Sequence, residues 1–248
     1  QPGRLVGLHF FNPVAKMPLL EIVHDVRTES TAIIQACAFA RHIEKLPLKV
    51  RSSPGFLVNR VLMPYLLEAV DLLDQGIPAA VVDRAAVAFG MPMGPIELAD
   101  TVGLDICLSV TSKMAEALHS EIPGRLSELV DDGQLGRKSG QGFYTWKNGH
   151  ALKPSIRTDS APPDSDISDR LILRLINESV ACLRERVVED EDLLDAGVIF
   201  GTGFAPFRGG PMHYVHSRGS GELQVKLGEL EDRFGQHFHA DPGWGAIA

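Results

Sequence analysis

Apolar residues follow two different rhythms along this chain. Over residues 1–52 they come in short runs, LVGLHFF, LLEIV and PLKVR, interrupted by the amphipathic stretch TAIIQACAFARHI. That order predicts strand, strand, helix and strand, the closing elements of an α/β domain. From Ser53 onward the β signals cease. The stretch PGFLVNRVLMPYLLEAVDLLDQG keeps helical spacing from an early proline to Gly76, with Pro64 inside it predicting a kink rather than a stop. Helical patterns follow at about 79–89, 95–120 and 124–132, and GRKSGQGFYTW closes the unit with glycines and an extended aromatic run. The segment KPSIRTDSAPPDSD has little to bury and reads as a linker.

Beyond the linker the pattern begins again. SDRLILRLINESVACLRERVV resembles the first long helix, and EDLLDAGVIFGTGFAPFRGGPMHYV follows AAVVDRAAVAFGMPMGPIELADTV in its order of features. In both, a helix with an acidic residue near its start (Asp83, Asp195) runs to a glycine (Gly90, Gly201), and a Gly/Pro-rich loop leads into another helix. Any two helix-turn-helix segments share some likeness, but ordered glycine, proline and acidic landmarks favour duplication. A duplicated helical unit is expected to pack on its copy, burying faces that one unit alone would expose. The expected division is 1–52 as an α/β remnant, 53–150 as a first helical domain, 151–167 as linker and 168–248 as a second helical domain.

Composition narrows the function classes. At 248 residues, with 44% hydrophobic and 23% charged, the chain can bury two or three small cores. A formal net charge of −8 and a pI near 5.6 argue against a nucleic-acid or anionic-membrane surface, which needs clustered Lys and Arg. No apolar run approaches the length of a membrane span, and QPGRLVG has neither the basic nor the apolar region of a secretory signal. Cys37, Cys107 and Cys182 are far apart without C-x-x-C spacing, so buried free thiols in a reducing cytoplasm are expected rather than a disulfide framework or a zinc site. A strand pattern that opens by residue 5 predicts a piece of something longer.

Four polar residues stand where chemistry could occur. His9 ends a strand-like run, where an α/β sheet places its ligands. Glu21 is a lone carboxylate in an otherwise continuous apolar strand and needs a partner. If the two strands are neighbours, Glu21 reaches the imidazole and fixes its tautomer, as an acid/base histidine requires. The same pattern also fits a histidine at a strand end and a carboxylate facing solvent. Asn59, in SPGFLVNR, could donate to a substrate oxygen or satisfy backbone groups at a helix start. Asn12 is followed by proline, a common turn start, and is equally open.

Taken together, GLHFFNPV, LLEIV, SPGFLVNR, GMPMGPIELADTVGLD and GRKSGQGFY, in this order and spacing, resemble the 3-hydroxyacyl-CoA dehydrogenases over nearly the whole chain. The second helical stretch, with FGTGFAPFRGGP, further resembles the α subunit of bacterial fatty acid oxidation complexes, in which the dehydrogenase follows an enoyl-CoA hydratase portion. The resemblance implies a mainly α fold: two duplicated helical units, 6-phosphogluconate-dehydrogenase C-terminal-like, preceded by the last strands and helix of an α/β Rossmann domain. It implies NAD as cofactor, an acyl-CoA substrate and a thiolase subunit as a partner. It assigns His9 as the acid/base histidine, Glu21 as its carboxylate partner, Asn59 as the amide at the substrate's reacting end and Asn12 as the residue beside the nicotinamide.

The departures carry equal weight. A dinucleotide fold shows G-x-G-x-x-G after its first strand, with an acidic residue about twenty positions later. Neither is present: GWGAIA, at 243–248, has no helix after it, and a serine that the family places upstream of the histidine falls outside the chain. The chain alone is therefore expected to be inactive, lacking the phosphate-binding loop. No metal is expected; His213 and His216 are three apart without a third ligand, and His237 and His239 draw no assignment. The loop MPMGP could line an acyl channel or fill a core, and Lys138 could meet a CoA phosphate or simply be solvated. The competing readings are a helical assembly module of a β-oxidation complex and a related hydroxyacid dehydrogenase.

Overall fold

The computed structural model describes residues 1–118, 122–154 and 164–247. In chain order its elements are β1 (Gly7–Phe10), β2 (Leu19–His24), α1 (Ser30–His42), β3 (Leu46–Arg51), α2 (Val58–Asp74), α3 (Ala79–Phe89), α4 (Pro95–Val102), α5 (Leu104–Leu118), α6 (Gly124–Asp131), β4 (Thr145–Lys147), β5 (His150–Leu152), α7 (Asp164–Arg184), α8 (Glu191–Thr202), α9 (Pro211–Arg218) and α10 (Ser220–Phe234), joined by short 3-10 turns and loops. The fold is mainly α. Two compact units form, one from residues 1–61, 176–226 and 240–248 and the other from residues 62–175 and 227–239.

The first unit is built on a sheet of order β1-β2-β3, with β1 antiparallel and β3 parallel to the central β2. Parallel neighbours cannot be joined by a tight turn, and α1 supplies the crossover between β2 and β3. Side chains alternate across a strand, so β2 has two different faces. Leu20 and Ile22 pack with Ala40 of α1 and its apolar neighbours Ile33, Ala36 and Cys37. Burying Leu20 and Ile22 fully is worth about 2 kcal/mol each. Leu19, Glu21 and Val23 occupy the opposite face, which α8 backs at close range. A Cβ on Gly201 would come within 2.5 Å of Val58 and 3.2 Å of Leu19, and one on Gly197 within 2.6 Å of Leu48. Gly201 therefore lies inside α8 as a packing residue, and the helix ends at Gly203 in the left-handed region, a correction to the expected end.

The second unit turns on two buried aspartates. Asp100 accepts from the backbone N–H groups of Phe143 and Tyr144 and from Trp146 Nε1, each at 2.9 Å. A Cβ on Gly142 would sit 2.2 Å from Asp100 Oδ1, so GRKSGQGFYTW is wrapped around this carboxylate with no room for a side chain there. Burial pushes the Asp100 carboxyl up, and its three donors pull it back. Asp83 accepts from Ile96 and Glu97 N–H at the start of α4 and from Tyr144 Oη at 2.8 Å.

Two local expectations are corrected. The helix expected over 95–120 is divided at Gly103, whose φ of +107° ends α4 before α5 begins. The aromatic run ends in a β4–β5 hairpin whose Asn148 and Gly149 have φ of +52° and +78°, the turn that Asn-Gly favours. β5 and α7 also enter the expected linker from both ends, and residues 155–163 of it lie outside the described residues. Pro64 lies within α2 without ending it.

Several features recur in the later helices. Asp195 accepts from Met212 and His213 N–H at the start of α9, at 2.7 and 2.9 Å, as Asp83 does for α4. Helices α4 and α9 have 8 residues each, α5 and α10 have 15 each. In the first unit Arg60 Nε donates to Glu178 Oε1 and its Nη1 to Glu185 Oε2, both at 2.6 Å. In the second, Arg170 Nε donates to Glu68 Oε1 at 2.6 Å and its Nη1 to Gln75 Oε1 at 2.7 Å. Arg60, Glu68 and Gln75 answer to Arg170, Glu178 and Glu185 at the same spacing.

Candidate active site

The β1–β2 register sets His9 directly opposite Glu21. His9 Nδ1 lies 2.6 Å from Glu21 Oε2. An ionised carboxylate only accepts, so Nδ1 carries the hydrogen and Nε2 is left with its lone pair. The imidazole remains 28% exposed while the Glu21 side chain is fully buried, so one end of the pair is open and the other sealed. The rings of Phe11 and Phe56 stand 4.7 and 5.3 Å from the imidazole centroid and fix its plane.

Burying a carboxylate requires donors on both oxygens. Glu21 Oε1 accepts from the N–H of Leu57 at 3.1 Å and of Val58 at 3.0 Å, where the chain enters α2. These N–H groups have no carbonyl partner within the helix, and the positive end of the helix dipole favours the charge. Phe56 has φ of +53° and follows Gly55 at +77°, a left-handed turn that precedes the two amides. The segment SPGFLV thus supplies both an aromatic wall for His9 and the amide cradle for Glu21.

Asn59 lies one residue past that cradle, half-buried on α2, and its amide makes no hydrogen bond to a described residue. Asn12 is exposed just beyond β1 and is joined to Pro13 by a cis peptide bond. The structure brings His9 and Glu21 together; it gives no contact linking Asn12 or Asn59 to them. Sequence reading did not find Ser53, whose buried hydroxyl has no partner among the described residues, or the Leu57 and Val58 amides, which carry no side-chain signal.

Other candidates resolve into structure. Lys138 pairs with Asp105. Met91 is buried, and Gly94 of the same loop lies against Asp83. His216 Nε2 pairs with Glu191 at 2.7 Å. Cys107 and Cys182 are buried free thiols, with burial pushing Cys107 up to about 12. No described helix is long and apolar enough to cross a membrane.

The domain profile described as 3-hydroxyacyl-CoA dehydrogenase, NAD binding domain, matches residues 1–53, and that described as 3-hydroxyacyl-CoA dehydrogenase, C-terminal domain, matches residues 55–146. The chain is 37% identical to the fatty acid oxidation complex subunit alpha of Vibrio vulnificus, over 96% of this chain and 35% of the relative, and 38% identical to that of Vibrio parahaemolyticus with the same coverage. It thus spans about a third of the length of the curated relatives it matches. Among solved structures, FadB2 of M. tuberculosis is 41% identical, with a TM-score of 0.57 over 59% of this chain and 54% of that one. The 3-hydroxybutyryl-CoA dehydrogenase of Escherichia coli K12, at 24% identity, shares the fold, with a TM-score of 0.84 over 99% of this chain and 70% of that one. Two profiles of one family, adjacent and in order over residues 1–53 and 55–146, show that the chain belongs to the 3-hydroxyacyl-CoA dehydrogenase family.

Proposed function

We propose that this chain supplies the acid/base pair and the helical portion of an enzyme that oxidises (S)-3-hydroxyacyl-CoA to 3-ketoacyl-CoA with NAD in fatty acid β-oxidation. The observation that carries this reading is the sealed Glu21 behind the open imidazole of His9, 2.6 Å apart. The Nε2 lone pair takes the hydroxyl proton of the alcohol as its carbon is oxidised, and Glu21 stabilises the imidazolium that results. In the reverse direction the imidazolium returns the proton to the ketone oxygen. The Asn59 amide donates to that oxygen as negative charge develops on it.

When bound, NAD supplies the hydride acceptor. The described residues supply candidates for its reacting end: the open imidazole of His9, and Asn12, exposed three residues further on, just past β1. They do not build its phosphate cradle, because the one strand-to-helix turn of the parallel pair, residues 25–29, contains no glycine. The chain by itself is accordingly read as inactive. A thiolase subunit as partner is supported by the relatives' name as subunits of a fatty acid oxidation complex, and a reducing cytoplasmic setting by the buried thiols. Recurrence of the aspartate caps and of the reciprocal arginine pairs supports duplicated helical domains at 53–150 and 168–248, preceded by the α/β remnant 1–52 and joined by 151–167. Turnover of acetoacetyl-CoA with NADH by the protein carrying this chain tests the activity: oxidation of NADH is expected, and its absence overturns the reading.

A further inference from the structure

The second unit holds a group of polar side chains unrelated to the dyad. Glu68 and Asp71 are one turn apart on α2, and His237 lies on the 3-10 turn Gln236–Phe238. A ligand atom from each lies within 4.8 Å of the other two. Glu68 is fully buried, and Arg170 occupies only its Oε1. The Oε2 atom has no hydrogen-bond partner among the described residues and faces His237 Nε2 at 3.3 Å. A buried carboxylate oxygen without a donor is costly, which makes it a position for a cation. Burial, reinforced by the charge of Glu68, pushes the Asp71 carboxyl up to about 6, against the pull of His237 and Arg174 and with Asp74 adding to the rise. The cations already present are engaged: Arg170 holds Glu68 Oε1 and Gln75, and Arg174 donates to the His237 carbonyl oxygen.

We propose that Glu68 Oε2, Asp71 and His237 bind one divalent transition-metal ion, Zn²⁺ being the best match. Two carboxylates and an imidazole form a borderline donor set that favours Zn²⁺ over Mg²⁺, and three protein ligands leave a position for water. His237 is 34% exposed, so an ion has a way in. The ion fastens the Gln236–Phe238 turn to α2 inside the second unit. The site belongs to one repeat only: Glu178 answers to Glu68, but Ala181 stands where Asp71 does in the first. Sequence reading gave His237 no role because its partners lie far away along the chain.

Calorimetric titration of ZnCl₂ into the whole chain, stripped with EDTA and exchanged into chelator-free buffer, tests the site. One ion per chain is expected, with a rise in melting temperature that Mg²⁺ does not produce. His237→Ala and Asp71→Asn, checked for an unchanged circular dichroism spectrum, should each weaken binding by at least about tenfold. His239→Ala, at the neighbouring histidine paired with Glu231, should leave it unchanged. No saturable Zn²⁺ binding, or a site that survives both His237→Ala and Asp71→Asn, overturns the proposal.

Discussion

Arg60 of α2 and Glu178 of α7 meet at 2.6 Å, and Arg170 of α7 and Glu68 of α2 meet at the same distance with the roles of the two helices exchanged. Such reciprocity supports the proposed duplication of the helical domains. The two bonds differ in burial: the Glu68 side chain is fully buried, whereas Glu178 is 18% and Glu185 38% exposed. Arg170→Ala strands a sealed charge and should cost about 3–5 kcal/mol. Arg60→Ala leaves carboxylates that water can reach and should cost about 1–3 kcal/mol. Urea denaturation of the two variants gives the order; equal losses would mean that the buried carboxylate finds another donor.

Gly94 and Gly210 precede the helices capped by Asp83 and Asp195, and a Cβ on either would come within 2.2 and 2.4 Å of the aspartate side chain. Gly94→Ala and Gly210→Ala should each destabilise by about 1–3 kcal/mol through overpacking. Gly210→Ala should lie at the upper end, because φ at that position is +112°. Melting temperatures unchanged in both variants would show that the caps tolerate displacement.

Asp71 carries a pH signature. Its carboxyl is pushed up to about 6 in the folded chain, above the ordinary carboxylate value of about 4. The folded state therefore holds the proton more tightly. The contribution is fully present below the unfolded value and lost as pH rises through the folded one. Asp71→Asn removes this dependence. With EDTA present, the variant should gain stability relative to wild type as pH rises from about 4 to 7. A difference that stays constant with pH would contradict the assignment.

Among the described residues the strand-to-helix turn 25–29 forms no phosphate cradle, and pyrophosphate contacts supply much of dinucleotide binding. Calorimetry of the 248-residue chain with NADH should show no saturable heat up to about 1 mM. Micromolar affinity would mean that these residues hold the cofactor by a route the sheet does not suggest.

The strands around His9 and Glu21 were legible because period-2 patterning is local, and a run of apolar residues around one carboxylate marks it as needing a partner. The pattern could not show what holds the far side of Glu21. Its donors are the backbone amides of Leu57 and Val58, which have no side-chain signature. GRKSGQGFY helped to mark the family, yet its Gly136 and Gly142 lie against Asp100, a partner that only the folded chain reveals. The break at Gly103 is hidden because apolar spacing continues across it, whereas the hairpin is announced by Asn148-Gly149, just past the extended run that the sequence predicts to end at Trp146. Asp71 and His237 were invisible as a pair for the reason that separates all such clusters: sequence distance conceals a shared site.

The central claim is that His9 moves the proton and Glu21 acts through it. Steady-state turnover of acetoacetyl-CoA with NADH, measured on the protein carrying this chain as wild type, His9→Ala and Glu21→Gln, tests it most directly. His9→Ala should lower kcat by about 10²–10⁴-fold. Glu21→Gln should lower kcat with KM nearer to the wild-type value, since the one side chain that Glu21 hydrogen-bonds among the described residues is the imidazole. Wild-type kcat in His9→Ala would contradict the account.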